Sequence, residues 1–310
     1  MNRRRVLNIV LLVVGLIGIA WATSKTVSDA QEQVFPSVAA LCVAAVFAFG
    51  TITASARAWV ALFRDVVESR ASRAALRGTF YLSQLTKYLP AGGVVQAASQ
   101  VGLARAIGVP LKRVAVAFPV SVVGAVAASG TLASALVFDT NLDNWVRLLA
   151  LAGLLSVVLL HRGLMGRVLQ LAHRFVHRIP ESDQLPTQTD ILMFYAWALV
   201  TVGSLCLGYT ILLRSVAPGV SSWVVVSAFA ASWVVGFLAV PIPAGVGIRE
   251  AMLVALVPNV GAAPVLAASL ALRLLSIGAE VVTFFVNKLV VRRHAGVTFV
   301  EETVEELNFP

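Results

Sequence analysis

Two stretches, Lys87-Tyr88-Leu89-Pro90-Ala91-Gly92-Gly93 and Pro241-Ile242-Pro243-Ala244-Gly245-Val246-Gly247-Ile248-Arg249-Glu250, decide how the rest of the chain is read. Each sets Pro-Ala-Gly inside an apolar run, and each is followed by a second punctuation: Gly108-Val109-Pro110 after the first, Gly261-Ala262-Ala263-Pro264 after the second. Proline removes a backbone donor and glycine widens the accessible dihedrals, so the tripeptide is a place where an apolar helix stops and reverses. The limbs after the breaks, Val94 to Ala106 and Val246 to Val257, are too short to cross a hydrocarbon layer of ~30 Å at ~1.5 Å per residue. The two stretches therefore predict re-entrant helical hairpins over residues 74–106 and 223–257, and their likeness marks an internal repeat.

Around these breaks the composition belongs to a bilayer protein. Of 310 residues, 59% are hydrophobic and 13% charged, with a mean hydropathy of +0.88, which excludes an ordinary soluble surface. Full crossings are expected at residues 6–22, 34–56, 114–138, 145–161, 191–213 and 264–290. With the N-terminus in the cytoplasm, these crossings place eighteen of the 24 Lys and Arg residues on the cytoplasmic side and leave Lys25, Arg147 and Arg214 outside, as the positive-inside rule requires. The net charge of +9 is thereby assigned to topology and to anionic phospholipid headgroups, not to nucleic acid. Arg3-Arg4-Arg5, the apolar run to residue 20 and Ala20-Trp21-Ala22 also fit a cleavable secretory signal; the symmetry of the chain favours a retained crossing.

That topology makes the first hairpin dip from the cytoplasm and the second from outside. The expected fold is an all-α polytopic membrane protein of six crossings and two hairpins, built as an inverted repeat of residues 1–144 and 145–310. Both termini are expected in the cytoplasm of a cell whose inner, or plasma, membrane holds the chain. Residues 223–240 are also long enough to cross, so a count of seven or eight stays open.

Charges at membrane depth are the candidate site. The segment that begins at each break exposes free backbone donors and the positive end of a helix dipole near the midplane, where a phosphate could be held. Pro90, Gly92, Pro243, Gly245 and Gly247 form the two turns; Arg249 stands in the first turn of the second limb and Lys87 just before the first break. On the last crossing Arg273 and Glu280 are seven residues apart, two helical turns, and share a face. Arg273 could bind a phosphate while Glu250 and Glu280 exchange a proton; equally, Arg273 could pair with Glu250 as structural glue, leaving Glu280 to find another partner. Gln96 and Gln100, with Gln84, could bond a sugar or the facing helices.

His173 and His177 have the spacing of a metal pair but alternate with Arg174 and Arg178 on a basic amphipathic segment, which reads as a helix on the lipid surface. Cys42 and Cys206 lie in apolar segments and carry no disulfide expectation. Neither a metal nor any other cofactor is implied, and phosphate-loop, zinc-protease and serine-hydrolase motifs are absent from the sequence.

The segments Lys87-Tyr88-Leu89-Pro90-Ala91-Gly92, preceded by Gln84, and Pro243-Ala244-Gly245-Val246-Gly247-Ile248-Arg249-Glu250 resemble the signature segments of the transmembrane region of lysylphosphatidylglycerol synthases, a region that also occurs alone in flippase-like membrane proteins associated with lipid-linked sugars. Family copies commonly read Pro-Gly-Gly where this chain has Pro-Ala-Gly. The resemblance implies translocation of a lipid headgroup. The soluble aminoacyl-transfer domain of the full synthases is not expected within this sequence, where Val291 to Pro310, with the acidic run Glu301 to Glu306, follow the last expected crossing. The expected function is a lipid flippase for a phospholipid or polyprenyl-phosphate sugar and not an enzyme; the rivals are an enzyme acting on a lipid-phosphate and a transporter of small solutes or ions.

Overall fold

The computed structural model describes residues 35–66, 70–88, 92–137, 144–175, 185–238, 247–257 and 260–294. Among these the chain is all-helical: α1 (Val38–Ala61), α2 (Arg70–Gln84), α3 (Gly92–Ala106), α4 (Leu111–Ala133), α5 (Asn144–Leu155), α6 (Arg162–Phe175), α7 (Gln188–Val216), α8 (Ser222–Leu238), α9 (Ile248–Leu256) and α10 (Ala262–His294). Helices α1, α4, α7 and most of α10 are long and apolar enough to cross a membrane. They correspond to four of the expected crossings, shifted by up to five residues at their ends. The expected crossing 145–161 is α5 continued by a 3-10 turn, Ser156–Leu160, after which the chain bends by 102° into α6. Residues 6–22 lie outside the described residues.

Small residues set the centre of the bundle. On α1, Ala40, Ala44, Ala48, Ile52 and Ala56 recur every four residues and are buried, a stripe that lets a neighbouring backbone come close. That neighbour is α7, which buries Phe194, Ala198, Val202, Cys206 and Tyr209. The two run antiparallel: Gly208 lies against Ala44 and Phe47, Gly50 against Ser204, Ser55 bonds Thr201 at 3.4 Å, the Arg57 guanidinium sits 4.9 Å over Trp197, and Arg64 meets Asp190 at 4.0 Å. The outward faces are apolar, with Val38, Val46, Leu192, Val200, Leu274, Phe285 and Leu289 exposed, as expected where the solvent is lipid.

One end of the bundle is closed by charge. Arg113, at the start of α4, is 2% exposed; it donates to the Leu62 carbonyl at 3.0 Å and to Asp65 at 2.5 Å. As a topology signal this arginine was expected at the headgroups; it is instead folded inward, because Asp65 and a free carbonyl after α1 supply the acceptors that a buried guanidinium needs. Thr187 caps α7 through the Asp190 amide at 3.2 Å, and Gln188 ties that helix start to Leu160 and Arg162.

Helices α4 and α5 meet backbone to backbone. A Cβ on Gly130 would stand 2.1 Å from the carbonyl carbon of Gly153, whereas one on Gly203, in α7, meets nothing within 4 Å. Gly130→Ala is therefore expected to lower stability by roughly 1–3 kcal/mol through forced separation of the two helices. Gly203→Ala should be neutral or stabilising by up to about 1 kcal/mol. Melting of the two detergent-solubilised variants, followed by tryptophan fluorescence, checks the contrast.

Candidate functional site

Both breaks are flanked by packed limbs: α2 and its terminal 3-10 turn, Leu85–Tyr88, pack on α3, and α8 packs on α9. The turn residues Pro90, Pro243 and Gly245 lie outside the described residues, while Gly92 opens α3 and Gly247 caps α9. Gly247 has φ +87°, a left-handed backbone that glycine adopts without steric cost. The Glu250 carboxylate folds back to accept its amide at 2.7 Å, the acidic half of a capping box.

The segments that lead to the two expected breaks, α2 and α8, start at opposite ends of α10. Asn287, near the end of α10, donates to the Gly78 carbonyl of α2 at 3.4 Å; nine residues farther along α2 and its turn, Lys87 reaches Glu280 at 2.5 Å. At the other end, Arg214 of α7 bonds Ser222 at the start of α8, and Tyr209 donates to the Val265 carbonyl in the first turns of α10. From that end α10 descends past Ser269 and Arg273 to the start of α9.

The acidic and basic candidates meet on α10. Arg273 contacts Glu250 at 3.3 Å, with the Ser269 hydroxyl 3.4 Å from the same carboxylate oxygen. Arg273 and Glu280 both face inward, their side chains 12% and 7% exposed. Hence Arg273 does pair with Glu250, and the partner left for Glu280 is Lys87, from the other half of the chain. Arg249 does not use its neighbour in this way: its guanidinium lies 4.2 Å over the ring of Phe229, which itself stacks on Tyr209 at 4.8 Å. Its Nε is shielded and has no hydrogen-bond partner among the described residues. Stacking on a ring face is a contact a planar guanidinium makes well and an ammonium poorly.

Lys87, Arg249 and Arg273 are the three cations that the expected topology assigns to neither membrane surface. Among these residues the structure holds two ion pairs, Arg273 with Glu250 and Lys87 with Glu280, set about 10 Å apart along α10, with Arg249 beside the first. Gln100 is buried and Gln96 half-buried on α3, while Gln84 is buried and reaches the Phe80 carbonyl at 3.5 Å. No group of three or more His, Cys, Asp or Glu side chains capable of holding a metal occurs among the described residues.

Sequence reasoning missed Phe229 and Tyr209. A phenylalanine in an apolar helix gives no sign that an arginine twenty residues later will cover it. Asp65 and Asp190 were also missed, although Thr187-x-x-Asp190 is a readable helix start. The chain matches no known family profile, no curated protein and no solved structure.

Proposed function

We propose that the protein is a lipid flippase that moves the polar headgroup of a phospholipid or a polyprenyl-phosphate-linked sugar between leaflets while the hydrocarbon tail stays in the bilayer. The observation that carries this reading is the set of two inward ion pairs, Arg273 with Glu250 and Lys87 with Glu280, on one face of α10 with Arg249 beside them. Ionisable groups inside a membrane are costly, and they mark substrate and ion pathways. Arg249 and Arg273, with the first turn of α9, are the phosphate site; Glu280 and Lys87 respond to its occupancy, with proton exchange on Glu280 as the coupling step. The reaction is displacement without covalent change, so the protein is not an enzyme.

Alternating access follows from an inverted repeat. In this reading α1 and α7 are counterparts, as are α2 and α8, α3 and α9, and α4 and α10. Three observations support it. The counterparts α1 and α7 lie antiparallel. Contacts exchange in pairs, since α4 packs on α7 and α8 just as α10 packs on α1 and α2. The segments α2 and α8 also start at opposite ends of α10. Broken helices that meet between inverted halves are the site-forming elements of many secondary transporters. Six crossings, cytoplasmic termini and the plasma membrane complete the proposal, with Arg64, Asp65, Arg113 and Asp190 at the cytoplasmic end, and the resemblance to flippase-like proteins points the same way.

Purified protein in liposomes is expected to change the leaflet distribution of a fluorescent phospholipid or polyprenyl-phosphate probe, read by dithionite quenching, without changing the probe's mass. A covalently altered product, formed by the protein alone, would establish the enzyme reading instead. Liposomes as impermeable to flipping as protein-free controls, for every lipid-phosphate tried, would remove the flippase reading.

A further inference from the structure

The Glu250 carboxylate is held as a bound anion would be. One oxygen accepts the Gly247 amide at the N-terminus of α9 at 2.7 Å; the other faces Arg273 at 3.3 Å and the Ser269 hydroxyl at 3.4 Å. Helix capping by itself needs only the first of these contacts. The remaining donors come from a different helix, and a backbone amide, a hydroxyl and a guanidinium are together the donor set that proteins offer to a phosphate oxyanion. On the same turn of α9, Arg249 presents a guanidinium that Phe229 covers on one face and whose Nε has no partner among the described residues.

We propose that Glu250 is a tethered stand-in for the cargo's phosphate, filling the oxyanion cradle in this conformation so that cargo loads by displacing it. This rests on the assignment of Arg249 and Arg273 as the phosphate site and adds to it a regulation. Before loading, the carboxylate neutralises Arg273, and an incoming phosphate competes with a carboxylate already in place. Displacement turns the Arg273 contact over to the phosphate and removes one of the contacts that join α9 to α10. Loading is thereby tied to loosening of the second hairpin. A neutral or zwitterionic ligand without a phosphate oxyanion to offer Arg273 gains nothing from the exchange, so the plug also acts as a filter.

Glu250→Gln tests the idea without removing the cap, because the amide oxygen can still accept from Gly247. The full-length variant and wild type in non-ionic detergent are titrated separately with inorganic phosphate and with phosphatidic acid in mixed micelles, and ligand-induced stabilisation is followed by thermal melting. Half-maximal stabilisation is expected at about tenfold lower phosphate for Glu250→Gln, the scale of one lost charge-assisted competitor, and the gain should vanish when Arg273→Leu is added. Equal or weaker binding by Glu250→Gln, with binding still dependent on Arg273, overturns the plug but leaves the phosphate site standing. If folded wild type and variant both ignore inorganic phosphate and phosphatidic acid, the site assignment falls and takes the plug with it. A gain seen with inorganic phosphate alone keeps the plug and makes the cargo a soluble phosphate. Should Glu250→Gln fail to fold, Glu250→Asp keeps the charge but shortens the reach to Gly247; a several-fold gain is expected, and none would overturn the proposal.

Discussion

Lys87→Glu is expected to lower stability strongly. It would set a second carboxylate against Glu280, whose side chain is 7% exposed against 27% for Lys87; breaking a fully buried pair costs about 3–5 kcal/mol, and this part-buried one costs less. Glu280→Lys should be comparably harmful, since it opposes two ammonium groups. The double exchange, Lys87→Glu with Glu280→Lys, rebuilds the pair with its polarity reversed and should recover most of the melting temperature. Transport should not recover with it, because the reversed pair places a carboxylate on the first hairpin and a cation two turns from Arg273. Melting curves and the liposome assay on the same three variants separate these outcomes. A double variant no more stable than the worse single one would show that the contact is incidental to stability.

The second large effect is expected from substitutions that keep charge and change shape. Arg249→Lys gives up the stacking on Phe229 at 4.2 Å, and Arg273→Lys replaces a planar fork by a point charge. Each should slow lipid transport by about tenfold or more, consistent with losing a charge-assisted hydrogen bond of roughly 1.5–3 kcal/mol. Glu280→Gln keeps the shape and removes the titration; it should slow net movement and leave lipid binding largely intact. Native transport rates for both lysine variants, with the protein folded, would make these arginines structural and move the search for the cargo to Lys87.

How much of this could be read from the sequence depended on the range of the interaction involved. Apolar runs are local, and α1, α4, α7 and α10 lie where hydropathy places them. The expectation of a break at each Pro-Ala-Gly is local as well, since proline removes a backbone donor beside a flexible glycine, although Pro119 sits inside a continuous α4. The pairing of Arg273 with Glu250 was legible as one of two alternatives, because both residues border the same short connection. Lys87 and Glu280 are 193 residues apart, and nothing local selects one from the other; only the cost of leaving either charge alone at membrane depth indicated that each had a partner. Arg113 shows the same limit. Next to Lys112 at the head of an apolar run it reads as a topology signal, and its burial rests on Leu62 and Asp65, in the segment after α1, which meet it only once the chain is folded.

The contact between Gly130 and Gly153 also reaches beyond the two helices that make it. Two helices whose backbones touch at a crossing leave no room there for any side chain, so neither glycine can be replaced without parting them. Since α4 also packs against α8, and Ser227 of α8 donates to the Leu132 carbonyl two residues beyond that crossing, a separation of α4 from α5 would be felt by α8, the helix whose Phe229 carries Arg249.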